Sequence, residues 1–180
     1  MKNFRIQRIA AAVCVALGTT LIPVLPAHAL TQTANLAVSA SVAANCTIST
    51  AAVAFGAYDP VVANALTALT GTGSVTIACT KNSGPTVTLG LGAQPAGSTR
   101  QMANGAERLV YELYQPPTTV PGVACGALTQ IWGTAGVAIF TPTVPASKAA
   151  RTYNVCGSVA ASQDVAVGAY ADTVVATVSF

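Results

Sequence analysis

Along most of this chain the apolar positions recur every second residue, which is the period of a β-strand with one face turned inward. Leu36-Ala37-Val38-Ser39-Ala40-Ser41-Val42-Ala43 alternates larger apolar side chains with small or polar ones. Ser74-Val75-Thr76-Ile77-Ala78-Cys79-Thr80 does the same, and Lys81-Asn82-Ser83-Gly84-Pro85 has turn composition. Thr86-Val87-Thr88-Leu89-Gly90-Leu91 then reads as the returning arm of a hairpin. Asn104-Gly105 is a second turn signal, followed by a strand that sets Leu109, Tyr111 and Leu113 on one face. Residues 172–180 read as a strand running to the last residue, with Val174, Ala176, Val178 and Phe180 on one face. The stretch from Pro116 to Gly122 reads as the longest irregular loop. Beyond the first thirty residues nothing sustains a helical i, i+3, i+4 pattern. Short strands separated by Gly/Pro-rich turns predict an all-β, antiparallel sandwich of one domain.

The start of the chain has a different character. Lys2, Arg5 and Arg8 precede an apolar run from Ile9 to Leu25, which closes on Pro26-Ala27-His28-Ala29. This is the charge, apolar core and small-x-small order of an export signal, with cleavage expected after Ala29. Broken by Gly18 and Pro23, the run falls short of a spanning helix. Residues 1–29 are therefore read as signal peptide, and residues 30–180 as the exported protein, the size of one domain.

Removing the leader changes the electrostatics. The formal net charge of +3 comes from the leader, because Lys81, Arg100, Arg108, Lys148 and Arg151 balance Asp59, Glu107, Glu112, Asp164 and Asp172. A neutral chain gives no electrostatic ground for nucleic acid or for an anionic membrane surface, and no membrane insertion is expected. The low share of charged residues suits a protein whose surface ends against other protein. Cys46, Cys79, Cys125 and Cys156 remain. In an exported chain an even number reads as two disulfides, for which three connectivities exist. Pairing of sequence neighbours, Cys46 with Cys79 and Cys125 with Cys156, is favoured, and each bridge would stabilise by roughly 4 kcal/mol.

The same inventory leaves little for catalysis. The single histidine, His28, belongs to the leader, so hydrolases that depend on histidine are excluded. Ala78 and Pro145 stand three residues before Lys81 and Lys148, so there is no Ser-x-x-Lys. Gly71-Thr72-Gly73 does not continue into a dinucleotide fingerprint, and no CxxC or histidine set exists for a metal. An acid-pair glycosidase is the one enzyme class left open. However, Glu107, Glu112 and Asp172 sit in or beside strands and read as charges on a solvated face. Asn45-Cys46-Thr47 has the form of a glycosylation sequon and is read as incidental. No cofactor, metal or catalytic residue is assigned, and the chain is read as not an enzyme.

Several motifs, taken in order, resemble the spore coat U domain family, the subunits of archaic (Csu-type) chaperone–usher pili. They are the alternating leader into Asn45-Cys46-Thr47-Ile48, then Val53-Ala54-Phe55-Gly56-Ala57-Tyr58-Asp59-Pro60, then Gly73-Ser74-Val75-Thr76-Ile77-Ala78-Cys79-Thr80. Arg100-Gln101-Met102 with Leu109-Val110-Tyr111-Glu112-Leu113-Tyr114 follows, then Ile131-Trp132-Gly133, and Gly168-Ala169-Tyr170-Ala171-Asp172-Thr173-Val174. The departure is Tyr153-Asn154-Val155-Cys156-Gly157, where the family has a glycine-rich Tyr-Gly segment, and Cys125 with Cys156 is an addition to the commoner single bridge.

The resemblance implies an incomplete immunoglobulin-like antiparallel sandwich completed by a donated strand. Its partners would be a periplasmic chaperone, an outer-membrane usher, and identical or related pilin subunits. The product would be a cell-surface pilus serving adhesion and biofilm formation. On this reading residues 30–43 form the donor extension and residues 44–180 the pilin domain. Leu36, Val38, Ala40 and Val42 would face a neighbour's core, and Val174, Ala176, Val178 and Phe180 would border the groove where the chaperone docks. Burying Leu36, Val38 and Val42 at roughly 1.5–3 kcal/mol each gives about 5–9 kcal/mol. The same alternation also fits an ordinary first strand folded in cis, as in a self-contained secreted coat or carbohydrate-binding sandwich.

Overall fold

The computed structural model describes residues 29–180, so the signal-peptide reading lies, Ala29 apart, outside the described residues. The chain divides into two compact units, Met1–Ala40 and Ser41–Phe180. Of the first, the described residues form neither strand nor helix and are exposed. The strand-like pattern of residues 36–43 therefore corresponds to no strand in this structure.

The second unit is built from seven strands: β1 (Cys46–Ala54), β2 (Leu69–Cys79), β3 (Thr86–Leu89), β4 (Arg100–Asn104), β5 (Glu107–Tyr114), β6 (Arg151–Val159) and β7 (Ala176–Ser179). A five-stranded antiparallel sheet runs β1-β2-β6-β5-β4, and β3 pairs with β7 in a second sheet. Thr/Val-rich alternation makes β2 a strand buried on one face, with Val75, Ile77 and Cys79 inward. Its partners place Tyr153, Val155 and Val159 on the same face, and β5 adds Leu109, Tyr111 and Leu113. Val87 and Leu89 of β3 close the core from the other side, with Trp132 and Phe140. Gly105, at φ +57°, makes the turn between β4 and β5.

Several readings of the sequence are corrected. β2 and β3 do not form a hairpin, because both edges of β2 are taken by β1 and β6, so the chain crosses at residues 80–85 into the other sheet. The crossing is held by the Asn82 N–H donating to the Pro145 carbonyl and the Ser83 N–H to that of Thr80. The last strand is only Ala176–Ser179, since β3 offers only four partners. Irregular chain is also longer than Pro116 to Gly122, filling residues 115–150 apart from a single 3-10 turn at Gly136–Ala138. This stretch is not idle. The Val87 and Phe140 backbones bond to each other, and Trp132 Nε1 donates to the Val87 carbonyl at 2.9 Å, so the loop covers the far edge of β3. Tyr153 to Gly157, where the sequence departs from the family pattern, is regular and lies within β6.

Two bridges lock the sandwich, Cys46–Cys79 between β1 and β2, and Cys125–Cys156. The second ties a loop to β6 and does not join two strands.

Candidate functional site: a groove open to the core

After Ala51 the pairing of β1 with β2 slips, and the chain bearing Val53 and Phe55 turns over the core face of β2 and β6. Three glycines make that possible. A Cβ at Gly71 would stand 2.8 Å from Phe55 Cδ1, and one at Gly157 would stand 2.6 Å from Phe55 Cζ. At Gly73 it would meet the Ala51 carbonyl and Val53 at 2.7 Å. The phenyl ring rests in this notch, edge-on to Tyr111 at 6.1 Å between centroids.

Because β1 veers inward here, a groove of about 400 Å³ remains between residues 50–55 and residues 170–176. Its floor is core: Val75, Leu89, Tyr111, Leu113 and Val155. A second hollow, about 680 Å³, continues it past Phe55, Met102 and Tyr170 to Asp59, Leu69, Val159 and Val165. The strands beside the groove are sheet ends. β1 is the terminal strand of the large sheet, and β7 has β3 on one side only. The β4 edge, by contrast, is occupied near Ala103 by Ala171.

One wall of the groove is polar and fixed. Asp172 accepts hydrogen bonds from the Tyr111 hydroxyl at 2.6 Å and from the Ala93 and Thr173 N–H groups at 2.7 Å. Burial, and then the Asp172 carboxylate beside it, push the Tyr111 phenol well above its ordinary range. Asp59 is held below the usual carboxylate range by the N–H groups of Val62 and Val61, which donate to its Oδ1. Behind the groove, Arg100 is 1% exposed. It donates to the carbonyls of Gly90 (2.9 Å), Leu89 (3.1 Å) and Trp132 (2.7 Å), and pairs with Glu112. Glu112 and Asp172 are thus not solvated-face charges as their strand positions implied. Each is consumed by a partner that only the folded chain brings near. Arg100 was legible in the sequence only as part of a motif, since nothing local marks a buried arginine.

Of the residues read from the sequence, Val174 and Ala176 line the groove. Val178 packs against the core outside its lining, and Phe180 is 54% exposed beyond β7. Leu36, Val38 and Val42 are exposed at 88, 86 and 85%. Ala40 is exposed as well. No group of three or more His, Cys, Asp or Glu residues is placed to hold a metal among the described residues.

The architecture is that of an all-β, immunoglobulin-like antiparallel sandwich with a groove open to its core. The model of the spore coat protein U domain matches residues 32–177, so the chain belongs to that family. Protein U of Myxococcus xanthus is 39% identical over 184 residues, covering 94% of this chain and 97% of that protein. Among solved structures, a similar fold occurs in the CsuC–CsuE chaperone–tip adhesion subunit pre-assembly complex from the archaic chaperone–usher Csu pili of Acinetobacter baumannii. The TM-score is 0.52 at 23% identity, over 77% of this chain and 40% of that one.

Proposed function

We propose that this chain is a structural subunit of a surface fibre of the pilus type, assembled by strand donation between copies. Residues 30–43 act as the donor and residues 44–180 as the acceptor domain. Leu36, Val38, Ala40 and Val42 insert into the groove of a neighbour, whose Val174 and Ala176 form part of its wall. A periplasmic chaperone holds the groove until an outer-membrane usher exchanges it for the next subunit, and the fibre serves adhesion and biofilm formation at the cell surface. The observation that carries this reading is the groove itself. It lies beside two sheet-end strands and is floored by core side chains, in a chain that also bears an exposed segment of strand-like alternation. An open edge beside exposed apolar surface is an aggregation hazard unless a strand fills it, and strand addition is a known mode of recognition. Family membership, and the likeness to a subunit solved with its chaperone, support it further.

Deleting residues 30–42 tests it, since no cysteine and none of β1 to β7 is removed. The shortened protein is expected to be exported, form both bridges and bind a chaperone, yet add nothing to a fibre. Fibres built from it would refute strand donation. Failure to fold even with chaperone present would place the segment in its own sheet, as in a self-contained coat protein.

A further inference from the structure

The side-chain charges of the domain are sorted by end. β1 enters at Cys46, β2 leaves at Cys79 and β6 starts at Arg151, and the register sets these three points at one end of the large sheet. Arg151 lies there, as do Lys81 and Lys148, which line a hollow together with Asn45 and Cys46. At the other end β1 and β6 finish and β5 begins. Asp59, Glu107 and Asp164 lie there, joined by Arg108 alone among cations. Hydrogen bonds from the Tyr58 hydroxyl to the Ala160 carbonyl, and from the Ser162 N–H to that of Asn64, tie the two acidic loops together. Lys81, Lys148, Asp59, Glu107 and Asp164 are all exposed. Arg100, Glu112 and Asp172, between the ends, are spent on internal partners. Val61, Val62 and Leu66 stand exposed in the chain just after Asp59, adding apolar surface to the acidic end.

The groove opens toward that acidic end, past Asp59. The donor segment joins its own domain at the basic end, before Cys46. Only Ala43, Ala44 and Asn45 separate Val42 from Cys46, a span of roughly 14 Å at full extension. A copy whose segment lies in a neighbour's groove is thereby held close, basic end foremost.

We infer that the basic end, through Lys81 and Lys148, docks on the acidic end of a second copy, through Glu107 and Asp164 with Asp59. This contact steers assembly and fixes head-to-tail polarity. It rests on the strand-donation reading above, and apart from Asp59 at the groove's mouth its residues line neither hollow of the groove. Opposed charges of this kind act mainly on the rate of encounter and on register.

The donor segment itself carries no charged side chain: residues 30–45 read LTQTANLAVSASVAAN. A peptide of that sequence therefore separates insertion from docking. From about 10 to about 150 mM salt the screening length falls from ~30 Å to ~8 Å. Growth of fibres from the exported chain should slow about tenfold over that range, while uptake of labelled peptide stays within about twofold. K81E/K148E subunits should add poorly to wild-type ends and recover on E107K/D164K copies, a rescue that a merely structural role for the lysines would not give. Asp59 is spared in that pair because it holds its own turn. Peptide uptake alongside salt-independent growth, or charge reversals that do not rescue one another, would overturn the docking and leave strand donation standing. Absence of peptide uptake would remove strand donation, and the docking with it.

Discussion

Gly157→Ala tests whether the glycine notch under Phe55 shapes the groove. The new Cβ would lie 2.6 Å from Phe55 Cζ, 2.7 Å from Cε1 and 2.8 Å from Val53 Cγ1. Comfortable carbon contacts need about 3.5–4.0 Å, so the ring must retreat by about 1 Å. Overpacking a closed core costs roughly 1–3 kcal/mol. Here the ring lines an open cavity of about 400 Å³ and has room to move, which sets the cost at the low end, about 1 kcal/mol. The consequence falls on the groove, which narrows where a strand would pass. Urea unfolding of residues 30–180, bridges intact, should show the small loss. Uptake of the residue 30–45 peptide, followed by anisotropy, should fall about tenfold, an effect of ~1.4 kcal/mol. Adding Phe55→Leu should restore uptake, and the two substitutions should couple by about 1 kcal/mol because the side chains touch. A loss above about 3 kcal/mol would mean that the ring cannot move. Normal uptake by the single variant would mean that Phe55 does not shape the groove, and either result refutes the argument.

Arg100→Met should cost about 3–5 kcal/mol in the same unfolding measurement, because Glu112 and three carbonyls lose their donor. Removing the orphaned carboxylate as well, in Arg100→Met/Glu112→Met, should recover at least about 1 kcal/mol. A loss under 1 kcal/mol for the first variant would show that the arginine is dispensable. Replacing Cys46 and Cys79 together by serine opens a bridge of sequence separation 33 and should lower stability by about 4 kcal/mol, read as a shift in the urea midpoint. Beside Tyr153, whose phenol pKa burial also raises, Tyr111 gives the alkaline dependence. Its folded pKa is raised, so its contribution is fully present below the ordinary tyrosine pKa of about 10 and is lost as pH rises beyond it. Thermal melts should therefore fall above about pH 10, and Tyr111→Phe should flatten that part of the profile. An unchanged profile would exclude Tyr111 as its source.

Alternation with period two is a local property, because successive side chains in a strand point to opposite faces whatever lies opposite. For that reason β2, β5 and the inward set Leu109, Tyr111 and Leu113 were legible from residue order alone, as was the Asn104-Gly105 turn. The all-β class followed from the same pattern. Pairing is not local. Whether β3 folds back on β2 or crosses to β7 depends on which edges are already occupied, and β1 and β6 take both edges of β2. Nor could alternation tell residues 36–43 from a strand of the sandwich, since an exposed strand-like segment and a paired strand read alike until a partner is seen. The groove belongs to the same category. Gly157 is far in sequence from Gly71 and Gly73, and the three look like weak points of two strands. Only when β2 and β6 lie side by side do they form one notch that admits Phe55, draws β1 off its neighbour and leaves the core open. Arg100 and Asp172, charges that the pattern assigned to a solvated face or left unmarked, were likewise decided by tertiary structure. A charge can be buried only where several distant backbone and side-chain partners converge on it.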